Sequence, residues 1–82
     1  MNKRLKFREL RRVLEGFGFQ FRRGPNCVLF EHAPSDSVVV LRVYRANEGV
    51  NPADLAVART LLDQRGVVER EAFDNALLTV KA

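Results

Sequence analysis

The chain has 82 residues, of which 46% are hydrophobic, so it can bury one modest core, and we expect a single domain spanning residues 1–82. Its single cysteine excludes an intramolecular disulfide and a CxxC metal cluster, and no apolar run approaches the roughly 20 residues of a membrane span. The basic start has no apolar segment behind it, so the sequence predicts no signal peptide and a cytoplasmic location.

The formal net charge of +4 is unevenly distributed along the chain. Residues 1–23 hold eight of the 14 lysines and arginines but only two of the ten acidic residues, which gives this segment a net charge of +6. A basic end on a small domain indicates a nucleic acid or an acidic protein surface as the partner. A solvated helix face would account for the same charges.

Residues 5–15 are predicted to form the first helix, because their apolar side chains recur at helical spacing. The apolar stripe consists of Phe7, Leu10, Val13, Leu14 and Phe17. Three arginines fall off that stripe and should be exposed: Arg8, Arg11 and Arg12. Gly16 and Gly18 are expected to end the helix.

Residues 19–23 alternate apolar and polar side chains, which is typical of a half-buried strand. In the turn that follows, Pro25 presets φ at the second position and Asn26 tolerates positive φ at the third. Residues 27–32 should form a second strand. After another turn, the β-branched run at residues 38–44 suits a central strand or one that is covered on one face. We therefore expect three strands in an antiparallel meander.

The rest of the chain is predicted to be helical. Asn51 is a good N-cap, Pro52 fits the first helical position, and Asp54 lies in the first turn, where it complements the helix dipole. Gly66 is the expected residue after the helix, and a further short helix should follow within residues 67–82. The predicted class is α+β, in the order α-β-β-β-α with an extra C-terminal helix, a three-stranded antiparallel sheet and helices on one face.

Two residues with reactive side chains each allow two interpretations. His32, the only histidine, is either a displaced general base or a surface histidine beside a turn, and a lone histidine does not make a metal site. Cys27 is either a nucleophile whose pKa is lowered by Arg22 and Arg23 or a small strand residue that packs as a hydrophobe.

Four arginines near the predicted sheet are candidates for phosphate binding, because arginine forks match phosphate geometry. They are Arg22, Arg23, Arg42 and Arg45. Tyr44 would add a ring on which an unpaired base could stack. In the alternative interpretation, Arg42 pairs with Glu31 across the sheet and Tyr44 covers an edge of the core.

Residues from about Lys6 to Val67 resemble the HicA toxin family, also called YcfA-like, which has a double-stranded-RNA-binding-domain-like fold. Four segments carry the resemblance in series: KFRELRRVLEGFGF, FRRGPNCVLFEH, VVVLRVYRANEGVNP and LAVARTLLDQRGV. They are similar to the family's opening helix, its arginine-glycine hairpin, its third strand with a loop that ends in proline, and its closing helix.

The resemblance implies a toxin of a type II toxin–antitoxin pair that binds and cleaves messenger RNA and is blocked by a HicB-like antitoxin. The family's catalytic histidine lies in a glycine–Ser/Thr–histidine motif, and the matching residues here are Gly24, Pro25 and Asn26. An asparagine amide does not accept a proton at physiological pH, so Asn26 can position RNA but cannot serve as the general base. We therefore expect RNA binding with weak or absent cleavage.

The expected RNA-binding surface combines Arg22, Arg23 and Gly24 of the hairpin with arginines of the first helix such as Arg8 and Arg12. No metal or cofactor is expected. The alternative function is a non-catalytic protein-interaction module that docks an acidic partner through the basic helix and the sheet. A third option is an active, metal-independent ribonuclease that uses His32 as its base.

Overall fold

The computed structural model describes residues 5–81 and shows an α+β arrangement of three helices and three antiparallel strands. The elements in chain order are α1 (Phe7–Gly16), β1 (Gln20–Arg23), β2 (Cys27–His32), a single 3-10 turn (Ala33–Ser35), β3 (Ser37–Arg42), α2 (Pro52–Gln64) and α3 (Arg70–Lys81). The predicted order of elements, including the extra C-terminal helix, is confirmed.

The glycines that follow α1 and α2 end both helices in the same way. Gly18 has φ +93° and Gly66 has φ +69°, a backbone region that costs glycine nothing. After α1, the N–H of Phe19 donates to the carbonyl of Leu14 at 3.0 Å, and the N–H of Gly18 donates to that of Glu15. These two bonds form a Schellman motif, so Gly18 rather than Gly16 turns the chain out of α1.

The strands pair in the order β1-β2-β3, so β2 is the central strand and β3 lies at an edge. β3 alternates strictly between buried and exposed side chains, with Val39 and Leu41 turned inward and Val38 and Val40 exposed. Of the two interpretations of the third strand, the one with a single covered face is confirmed and the central position is wrong. The strand also ends at Arg42, two residues earlier than predicted.

The helices cover one face of the sheet. α1 contacts β1, α2 contacts β3, and α3 packs against both helices. The fully buried side chains include Phe30 of the sheet, Leu10 of α1 and Phe73 of α3. The other face of the sheet, called the open face below, carries side chains that point away from the helices: Gln20, Arg22, Leu29, Glu31, Val38, Val40 and Arg42. Among residues 5–81, no helix is long and apolar enough to cross a membrane.

Candidate nucleic-acid interface

The tip of the β1–β2 hairpin carries the three residues in which the sequence predicts an altered catalytic motif: Gly24, Pro25 and Asn26. The N–H of Gly24 donates to the carbonyl of Cys27 at 2.9 Å and closes the turn. A Cβ at position 24 would lie 2.8 Å from the Cys27 sulfur, so glycine permits this close approach. Asn26 is exposed at the tip, and its side chain makes no hydrogen bond to any other described residue.

His32 lies at the opposite end of β2 from this tip. It lies six positions after Asn26 along an extended chain, which corresponds to about 20 Å. Its ring packs on Phe19 with centroids 4.9 Å apart, and its Nδ1 is 2.6 Å from the hydroxyl oxygen of Ser35. Asn26 and His32 therefore do not belong to one site.

The two arginines before the turn point to opposite faces of the sheet, because successive strand residues alternate. Arg22 lies on the open face, where its Nε is 2.7 Å from a carboxylate oxygen of Glu31. Arg23 lies on the helix side, with its guanidinium carbon 5.9 Å from the centroid of the Phe21 ring. Only Arg23 thus faces the same side as the basic helix.

Arg42 also forms an ion pair, but not with the predicted partner. Its Nε is 2.9 Å from a carboxylate oxygen of Asp54 at the start of α2. In the strand register Arg42 lies opposite Cys27, whereas Glu31 lies opposite Val38. The interpretation that Arg42 pairs with Glu31 is therefore wrong, since the two residues are at different positions along the sheet.

Tyr44 belongs to the core rather than to a binding surface. Its side chain is 4% exposed, and its ring stacks on Phe7 with centroids 5.6 Å apart and an interplanar angle of 14°. This burial contradicts the expectation of a free ring face for an unpaired base and confirms the alternative that Tyr44 covers an edge of the core.

Hydrogen bonds fix the Tyr44 hydroxyl at the start of α2. It donates to a carboxylate oxygen of Asp54 and accepts a bond from the N–H of Asn51 at 3.0 Å. Burial raises the pKa of Tyr44 above its ordinary value of 10.0, and the bond to Asp54 raises it further, while the N–H of Asn51 acts in the opposite direction.

The exposed face of α1 is basic, as predicted, and it continues onto β1. Arg8, Arg11 and Arg12 are all exposed. The guanidinium carbon of Arg11 lies 4.2 Å from the centroid of the Phe21 ring, the ring that Arg23 also approaches. We call the four residues Arg8, Arg11, Arg12 and Arg23 the arginine surface.

The loop that follows β3 lies beside the start of α1. The N–H of Phe7 donates to the carbonyl of Glu48, and a guanidinium nitrogen of Arg8 donates to the side-chain oxygen of Asn47 at 2.6 Å. This loop begins with the exposed Arg45, whose N–H donates to the Glu48 carboxylate at 3.0 Å. The structure thus brings Arg45 to the α1 side of the molecule, near one end of the arginine surface.

Arginines on different parts of the molecule differ in whether a carboxylate lies beside them. The arginines of the open face, α2 and α3 that form ion pairs are Arg22 with Glu31, Arg42 with Asp54, Arg59 with Asp74 and Arg70 with Asp63. On the arginine surface only Arg11 has a carboxylate partner among the described residues, the exposed Glu15 at 3.2 Å. Uncompensated positive charge is therefore concentrated on the side formed by α1 and β1.

Sequence reasoning did not identify Phe21 as the centre of this surface. The alternation of residues 19–23 already places Phe21 and Arg23 on one side of the strand, and that signal points to the contact with the helix.

Within residues 5–81, no group of three or more His, Cys, Asp or Glu side chains lies close enough together to hold a metal ion. No protein-family model, curated protein or solved structure matches the chain.

Proposed function

We propose that this chain is an RNA-binding protein of the HicA toxin type, with a dsRBD-like fold, which acts on messenger RNA in the cytoplasm and pairs with a HicB-like antitoxin. The observation that carries the proposal is the arginine surface, a contiguous set of cations on α1 and β1 in which a single arginine has a carboxylate partner among the described residues. The resemblance of residues 6–67 to HicA is the reason to propose this particular type of RNA-binding protein.

The contacts around Phe21 favour binding of a polyanion. Arg11 and Arg23 both lie within reach of cation–π attraction to its ring, which restrains their guanidinium groups before a ligand arrives. A restrained arginine loses less side-chain entropy when it binds phosphate, and its planar fork donates two parallel hydrogen bonds. Arg12 and Arg8 extend the same surface by about one helical turn.

The chemistry at the hairpin tip favours binding over cleavage. Attack of a ribose 2′-OH on the adjacent phosphate requires a group that accepts its proton near neutral pH, and such a base contributes about 10²–10⁴ in rate. Asn26 is exposed, but its amide does not accept that proton. We infer that the chain retains RNA binding and has lost most of the cleavage activity of the HicA type.

The test measures binding of a fluorescent single-stranded RNA to the full chain at increasing salt concentration. We expect the logarithm of the affinity to fall linearly with the logarithm of salt concentration, with a slope of roughly −0.7 per phosphate contacted. Arg12→Gln and Arg23→Gln should each weaken binding and make the slope shallower by about one contact. Arg70→Gln, which removes an equal charge from α3, is the matched control and should leave both quantities unchanged.

A cleavage assay on the same RNA tests the catalytic part. Asn26→His should increase the rate of cleavage by about 10² or more in the presence of a metal chelator. Wild-type protein that already cuts as fast as this variant, and loses activity in His32→Ala, would support His32 as the base instead. Absence of RNA binding even at low salt would overturn the proposal and leave the acidic protein partner as the explanation of the arginine surface.

A further inference from the structure

The two edges of the sheet differ in how they are protected against pairing with another strand. Edge strands of monomeric proteins commonly carry charged residues or proline. The β1 edge is short and has Arg22 and Arg23, with Pro25 close behind. β3 has no charged residue before Arg42, its last residue, and reads Ser-Val-Val-Val-Leu up to that point.

The outer side of β3 offers a row of backbone groups without partners. The strand hydrogen bonds to β2 on one side only, and no other described segment donates to or accepts from the backbone of residues 37–42. Next to this edge, the open face of the sheet is apolar, since Val38 is 43% exposed and Val40 is 57% exposed. Unpaired backbone groups beside exposed valines form a template for strand addition.

The helix above β3 continues the apolar surface. Arg59 of α2 pairs with α3, whereas Asp54 of α2 pairs with β3. Successive helix residues are about 100° apart, so Val57 lies about 160° from Arg59 and only about 60° from Asp54. Val57, which is 62% exposed, is therefore on the side of α2 that faces away from α3 and toward the β3 edge of the molecule.

We propose that β3 and the Val57 side of α2 form the interface between two copies of this chain, in which the β3 strands pair antiparallel and join the sheets into one of six strands. A two-fold axis perpendicular to the sheet places both α2 helices on the same side, so Val57 of each copy faces the other helix. This inference does not depend on RNA binding.

Face alternation and contact between valines select the register. Open-face residues of one copy meet open-face residues of the other only when paired residues are an even number of positions apart in the sequence, or identical. With Val39 at the two-fold axis, Val38 lies opposite Val40 of the second copy, and Val40 lies opposite its Val38. Both exposed valines of each strand then meet a valine, whereas a register centred on Val38 or on Val40 pairs only one of them with a valine.

Sedimentation equilibrium of the full chain, from micromolar to millimolar concentration, tests the proposal. We expect a reversible monomer–dimer equilibrium. Val40→Lys should raise the dimer dissociation constant at least about tenfold. In a two-fold symmetric dimer both copies carry the substitution, so two cross-strand pairs are altered at once. Leu78→Lys, at an apolar position on α3 that is also exposed, is the matched control and should not change the constant. Circular dichroism verifies that both variants retain the native fold.

A cross-linking experiment tests the register without relying on a destabilised variant. In a Cys27→Ser background, a mixture of Val38→Cys and Val40→Cys chains should form mixed disulfide dimers in preference to Val40→Cys homodimers. A chain that stays monomeric at millimolar concentration, or a dimer that is insensitive to Val40→Lys, would overturn the proposed interface. A preference for the Val40→Cys homodimer would overturn the register.

Discussion

At the scale of single residues, Tyr44 links the core to the start of α2. Its ring stacks on Phe7, and its hydroxyl bonds to both Asp54 and the N–H of Asn51. A phenolate at this position would lose hydration and face the carboxylate of Asp54, so the folded protein holds the neutral form. The stability that Tyr44 contributes should therefore depend on pH.

The pKa of Tyr44 is raised in the folded state, so its contribution to the free energy of unfolding is complete below pH 10 and is lost as pH rises through the folded-state value. Tyr44→Phe lacks both hydroxyl hydrogen bonds and should be about 1–2 kcal/mol less stable than wild type at pH 8. Urea unfolding of both proteins between pH 8 and pH 12 should show this difference shrinking above pH 10. A difference that stays constant to pH 12 would mean that the hydroxyl does not titrate with folding.

The sequence alone could not assign Tyr44, for a physical reason. Alternation gives the direction of a side chain only inside a strand, and β3 ends at Arg42. Beyond that point Val43 is exposed and Tyr44 is buried because the loop returns toward α1, a tertiary contact that no local pattern encodes. Arg22 and Arg23 lie inside β1, so the opposite directions of their side chains could be predicted from the sequence.

At the scale of elements, the caps were the most predictable features, since they depend on local chemistry. The Asn51 side chain accepts the N–H of Ala53 at 2.8 Å, as expected of an N-cap that precedes proline. Gly66 has the positive φ expected of the residue after α2. The antiparallel meander predicted from the chain order places β3 at the sheet edge, as observed, although the apolar run of β3 taken alone suits a central strand equally well.

Removal of the α2 cap should cost stability without changing the fold. Asn51→Ala leaves one N–H of the first turn without its side-chain partner and should lower the free energy of unfolding by about 1 kcal/mol. Chemical denaturation with an unchanged m-value would measure the loss. Asn75→Ala, an exposed asparagine inside α3, is the matched control and should be neutral or slightly stabilising, because alanine favours the helix interior. Equal losses in both variants would argue against a capping role.

At the scale of the whole molecule, the sheet order separates the two proposed surfaces. The arginine surface lies on the β1 side, and the proposed dimer interface lies at β3, with β2 between them. A dimer built through β3 therefore leaves both arginine surfaces exposed and available to one RNA. The two proposals can fail independently, since Val40→Lys leaves the arginines intact and Arg12→Gln leaves β3 intact.

We expect the fold as a whole to depend on α3, although this helix lies outside residues 6–67, on which the proposed family resemblance rests. Phe73 is fully buried, and α3 packs against both α1 and α2. Phe73→Ala should cost about 3–5 kcal/mol, a large part of the roughly 5–15 kcal/mol that stabilises a native domain. Leu78→Ala in the same helix removes a side chain that is 69% exposed and should change stability by less than about 0.5 kcal/mol.

Thermal unfolding followed by circular dichroism would compare these two variants with wild type. A large drop in the midpoint for Phe73→Ala alone would show that α3 is a structural part of the domain. Similar midpoints for all three proteins would mean that residues 5–67 fold without it. Because α3 contacts the two helices that hold the sheet, we expect cooperative loss of all three strands together when Phe73 is truncated.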